Sequence, residues 1–124
     1  MKPLILISEE DTPSVLLDKE NEIFEISGLS LPENPKKFYD PIILWVQEYF
    51  QNPNAQTVFT FKLKYFNTAS AKELIRLYQI LTKGHESKKS QVKILWYYPK
   101  DDEDLLDFGN NFLNDTIPFE VIPI

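Results

Sequence analysis

Lys64-Tyr65-Phe66-Asn67-Thr68-Ala69-Ser70-Ala71-Lys72 joins two segments of different hydrophobic period. Before it, Thr57-Val58-Phe59-Thr60-Phe61-Lys62-Leu63 alternates between apolar and polar residues, the pattern of a strand. After it, Glu73-Leu74-Ile75-Arg76-Leu77-Tyr78-Gln79-Ile80-Leu81 carries apolar residues at helical spacing. The nonapeptide therefore reads as a strand-to-helix junction. In open α/β sheets such junctions lie at the carboxyl ends of strands, where sites form. Asn67, Thr68 and Ser70 fall in the first helical turn, whose amides have no acceptor within the helix. That turn attracts anions, including a phosphate carried by one of its own hydroxyls. The same residue types are also preferred N-caps, and Ser70 with Glu73 has capping-box spacing. Residue types alone leave capping and a functional turn both open.

Working outward, the central helix is expected to end within the Lys83 to Ser90 segment, rich in lysine and serine. Gln91-Val92-Lys93-Ile94-Leu95-Trp96-Tyr97-Tyr98 is the strongest strand signal in the chain, stopped by Pro99. Alternation puts Trp96 and Tyr98 on one face and Tyr97 on the other. Asp101 to Leu113 predicts a helix with Leu105, Leu106, Phe108, Phe112 and Leu113 as its apolar stripe, and Phe119 to Ile122 a short last strand. On the amino-terminal side, Phe38, Ile42, Trp45, Val46, Tyr49 and Phe50 recur at helical spacing. Pro41 lies inside that pattern and is tolerated only in a first turn, so the helix is expected to start near Tyr39 or Asp40, with Asp40 as cap. Leu4 to Ile7, Ser14 to Asp18 and Glu22 to Ser27 read as three strands, the last two joined as a hairpin through Lys19-Glu20-Asn21. Gly28 to Pro35 reads as a loop. The order β-β-β-α-β-α-β-α-β predicts an α/β fold: a mixed sheet with a leading hairpin, right-handed crossovers and helices packed on it.

At 124 residues the chain is expected to form one domain, residues 1–124, large enough to bury a core without staples. A net charge of −6 argues against nucleic-acid backbone and against anionic membrane surfaces. The absence of cysteine and the single histidine exclude disulfides, thiolate zinc sites, cysteine nucleophiles and multi-histidine metal sites. Leu4 to Ile7 is too short for a signal peptide or a membrane span, which makes a cytoplasmic protein the expectation. Asp101-Asp102-Glu103-Asp104 lacks the spacing and glycine turn of a Ca²⁺ loop and reads as a solvated, dipole-favoured helix start. Glu9-Glu10-Asp11 lacks the strand-end aspartate and later lysine that aspartyl phosphorylation needs. His85, without triad partners, reads as a surface residue near a helix end. Neither a metal nor a cofactor is implied.

Asp11-Thr12-Pro13, Phe24-Glu25-Ile26-Ser27-Gly28, Leu31-Pro32-Glu33-Asn34, Trp45-Val46-Gln47-Glu48, Val92 to Tyr98 and, most specifically, Tyr65-Phe66-Asn67-Thr68-Ala69-Ser70-Ala71-Lys72 carry a resemblance that spans nearly the whole chain. By these stretches the chain resembles the SiaC-type regulatory phosphoproteins, small bacterial proteins with a STAS-like fold akin to anti-sigma-factor antagonists. The resemblance implies a switch rather than an enzyme. By position Thr68 is the phosphoacceptor, with Tyr65, Asn67, Ser70 and Lys72 as its environment. It further implies a dedicated protein kinase, a PP2C-type phosphatase, and a diguanylate cyclase activated by the unmodified form, in cyclic-di-GMP signalling and biofilm regulation. Ala69 stands where the family often carries serine, which leaves Thr68 and Ser70 as the nearby hydroxyls. A ligand-binding domain or a constitutive scaffold using the same strand ends is the alternative.

Overall fold

A computed structural model describes residues 1–111 and 117–124. The expected apolar positions Phe112 and Leu113 lie outside the described residues. The elements run β1 (Leu4–Leu6), β2 (Ser14–Asp18), β3 (Ile23–Ser30), α1 (Pro35–Tyr49), β4 (Gln56–Phe66), α2 (Thr68–Glu86), β5 (Gln91–Tyr98), α3 (Glu103–Asn111) and β6 (Phe119–Pro123). The sheet has six strands in sequence order, β1 to β3 antiparallel and β3 to β6 parallel. This is the mixed α/β architecture that the element order predicts.

Strand order explains the layering. Each βαβ crossover advances one strand in the same direction, and crossovers of one hand then put every helix on the same face. The inward residues of the strands, among them Leu17, Phe24, Ile26, Phe59, Phe61, Leu63, Ile94 and Trp96, form one core with Ile42, Val46, Leu74, Leu77 and Leu81 from α1 and α2. The opposite face carries the alternate residues. There Lys62 pairs with Glu25 at 3.4 Å and lies 5.0 Å from the Tyr97 ring centroid, and Lys93 pairs with Glu120 at 3.5 Å.

Four boundaries differ from the sequence expectation by two residues or more. Helix α1 starts at Pro35, not near Asp40. Asn34 Oδ1 accepts from the Lys37 amide at 3.1 Å, and Pro35 takes the first turn, where a missing N–H costs nothing. Pro41 thus sits inside the helix, against expectation. Pro41 leaves the Lys37 carbonyl without its helical amide, and both residues are exposed. Asp40, rather than capping, pairs with Lys36 and Arg76, both at 2.9 Å, and these cations hold its carboxyl below the usual range.

Strand β3 continues through Gly28 to Ser30, where a loop was expected. Gly28 takes φ +105° beside a register shift against β4, a conformation glycine adopts without strain. Strand β4 likewise runs to Phe66, three residues beyond the alternating segment. Helix α3 starts at Glu103 rather than Asp101, because Asp102 accepts from the Leu105 amide at 3.0 Å and so caps it. The acidic start is as expected, with Glu103 and Asp104 exposed in the first turn.

Candidate functional site at the strand-to-helix turn

Strand β4 delivers Phe66 to the carboxyl edge of the sheet, and the chain turns into α2 within one residue. Asn67 is the cap. It holds an extended backbone (φ −87°, ψ 171°), and its Oδ1 accepts from the Ser70 amide at 2.8 Å. Its own amide donates to the Ser30 carbonyl at 3.3 Å, which ties the turn to the end of β3. Thr68 is therefore the first helical residue, and it is exposed. No acidic residue stands in the first turn of α2, so the positive end of the helix dipole has no carboxylate there.

Ser70 has the opposite environment. It is fully buried, its hydroxyl donates to the Ser30 carbonyl at 3.0 Å, and its oxygen accepts from the Ser30 hydroxyl at 3.0 Å. The Ser30 proton being used there, the Tyr39 hydroxyl is the donor in the 2.7 Å bond to Ser30 Oγ. Three buried hydroxyls thus lock the first turn of α2 to β3 and α1. The expected Ser70–Glu73 capping box does not form. Asn67 holds the cap position, so Ser70 lies too far into the helix, and Glu73 pairs instead with Arg76 at 3.1 Å.

Burial pushes the Tyr39 phenol up to about 12. An unfolded tyrosine loses its proton near pH 10, so above that the folded state binds more protons than the unfolded. The stability contributed by neutral Tyr39 is complete below pH 10 and is lost as pH rises to about 12, roughly 2–3 kcal/mol in all. Melts of the protein between pH 9 and 12 should fall more steeply than those of Tyr39→Phe. Parallel curves would mean that the phenol is not held neutral by burial.

The other residues of the turn divide by exposure. Tyr65 and Lys72 are exposed, and Lys72 lies one helical turn beyond Thr68. Tyr65, Phe66, Asn67, Thr68 and Ala71 form one side of a cavity of about 340 Å³ whose other side is α3, with Asp102, Asp104, Leu105 and Phe108. The α3 wall was not foreseen at this site. Its acidic start and its apolar stripe, with Leu105 and Phe108, are legible in the sequence, but nothing there ties either to Thr68. His85, expected at the surface, is half-buried, and its Nδ1 accepts from the Val92 amide at 3.1 Å. Among the described residues no group of three or more acidic, histidine or cysteine side chains is placed to hold a metal ion.

A family model described as SiaC family regulatory phosphoprotein matches residues 6–124. The chain belongs to this family. An uncharacterised protein of Pseudomonas aeruginosa (strain UCBPP-PA14) is 24% identical over 122 residues, which cover 98% of this chain and 96% of that protein. The crystal structure of apo-SiaC from P. aeruginosa superposes with a TM-score of 0.87 at 24% identity, covering 98% of this chain and 99% of that one. A chain in the crystal structure of the diguanylate cyclase SiaD in complex with its activator SiaC, also from P. aeruginosa, gives 0.88 at 23% identity and the same coverage. These structural likenesses establish a shared fold. Among the described residues, no helix is long and apolar enough to cross a membrane.

Proposed function

We propose that this family member is a non-enzymatic cytoplasmic phosphoswitch with Thr68 as its acceptor. A dedicated protein kinase phosphorylates Thr68 and a PP2C-type phosphatase reverses it. The unmodified form binds and activates a diguanylate cyclase, as the activator SiaC is paired with SiaD in P. aeruginosa. The observation that carries this reading is the contrast between two hydroxyls two residues apart. Thr68 is exposed at the first position of α2, whereas Ser70 is buried and bonded to Ser30.

The physical case has two steps. Phosphothreonine adds about −1.5 to −2 charges and three acceptor oxygens where the dipole and free amides favour an anion, so the fold tolerates it. A partner packed over that turn would meet both the bulk and the charge. The net charge of −6 speaks for a protein partner rather than nucleic acid or membrane. Intact mass and phosphosite mapping of protein from its native host should place a single phosphate on Thr68. Phosphate on Ser70 or elsewhere, with Thr68 bare, would overturn the assignment.

A further inference from the structure

We propose that the cavity between α2 and α3 is the docking pocket for one large apolar side chain of the cyclase, flanked there by a lysine or arginine. The inference rests on the phosphoswitch reading and names the surface through which it acts. At about 340 Å³ the cavity lies at the small end of the range for ligand pockets, roughly 300–1,000 Å³. That suits a single leucine, methionine or phenylalanine anchor of the kind that dominates protein interfaces. Phe66, Ala71, Leu105 and Phe108 supply its apolar lining.

The two walls differ in charge, and this selects the occupant. The α3 wall presents Asp102 and Asp104, continued by exposed Asp101 and Glu103. These carboxylates face a partner cation rather than a second acidic surface. The α2 wall presents Thr68. Tyr65, itself part of the lining, and its cross-strand neighbour Leu29 are both exposed. A phosphate on Thr68 would grow into the space of the anchor, and a dianion does not give up its hydration to an apolar side chain. The acidic wall opposite offers it no compensating cation.

The test uses the full-length unmodified protein and its cognate diguanylate cyclase in titration calorimetry. Ala71→Phe fills the pocket without adding charge and should weaken binding by about 30-fold or more, while thermal melts show a folded chain. Ala71→Leu, a smaller plug of good helix propensity, covers the case in which phenylalanine distorts α2. Asp102→Asn with Asp104→Asn keeps a capping side chain at 102 and removes both charges. That pair should weaken binding by about 3- to 10-fold at low salt and flatten its salt dependence. Wild-type affinity in the filled variants would overturn the pocket, and unchanged affinity and salt dependence in the asparagine pair would overturn the basic flank. Both results would leave the phosphoswitch standing, because they compare unmodified proteins. Failure of the unmodified wild type to bind the cyclase would overturn both readings.

Discussion

Phosphorylation of Thr68 should weaken binding of the cyclase about 100-fold, whereas Thr68→Ala should bind as the unmodified protein does. A coupling of about 3 kcal/mol corresponds to that factor. The alanine variant is a clean control because Asn67, not Thr68, caps α2. Its stability should change by only a few tenths of a kcal/mol, since alanine is the best helix former. The cap penalty of about 0.5–2 kcal/mol should fall on Asn67→Ala instead. Thr68→Asp and Thr68→Glu place a carboxylate at a helix start, worth roughly 0.3–1 kcal/mol of added stability. Each adds one charge and lacks the tetrahedral oxygens, so binding should be weakened less than by phosphate. Calorimetry against the cyclase, with melts as the folding control, gives the whole series. Equal affinity of unmodified, phosphorylated and acidic forms would leave Thr68 an ordinary first-turn residue and favour a constitutive scaffold.

The parts of this site that were legible in the sequence are those encoded locally. The change from period two to helical spacing across Lys64 to Lys72 located the strand, the helix and the turn between them, and the Asn-Thr-Ala-Ser string marked the cap. What distinguishes Thr68 from Ser70 is not local. It depends on Ser30 and Tyr39, brought there by β3 and α1 from 40 and 31 residues away in the chain. Pro41 misled for a related reason. Its rule concerns the hydrogen bond it removes, and an exposed helix face lets water take that acceptor. The α3 wall is the clearest tertiary gain. An acidic helix start reads as solvated surface until the parallel pairing of β4 with β5 sets it across from Thr68.

Gly109→Ala should lower stability by about 2–4 kcal/mol, although alanine is the better helix former by about 1 kcal/mol. Gly109 faces the indole of Trp96, which is fully buried on β5. A Cβ on residue 109 would stand 2.5 Å from Trp96 Cδ1 and 2.7 Å from Nε1. Neither side can give way easily. The indole is packed against Phe61, Phe66 and Phe108, with centroids at 5.4, 6.2 and 5.6 Å, and its N–H donates to the Leu105 carbonyl at 3.0 Å. Overpacking of this kind costs about 1–3 kcal/mol, and separating the indole from Leu105 leaves a buried donor unsatisfied for about 1–3 more. Their sum exceeds the gain in propensity. For a chain of this size the melting temperature should drop by roughly 10 °C. Trp96→Phe, which shrinks the ring, should be less damaged by the added methyl, so the double variant should lose less than the sum of the singles. The same displacement moves the α3 wall of the cavity, and Gly109→Ala should therefore weaken cyclase binding even at temperatures where it is fully folded. A Gly109→Ala protein that melts higher than wild type and binds normally would show that α3 is not seated on Trp96 through this glycine.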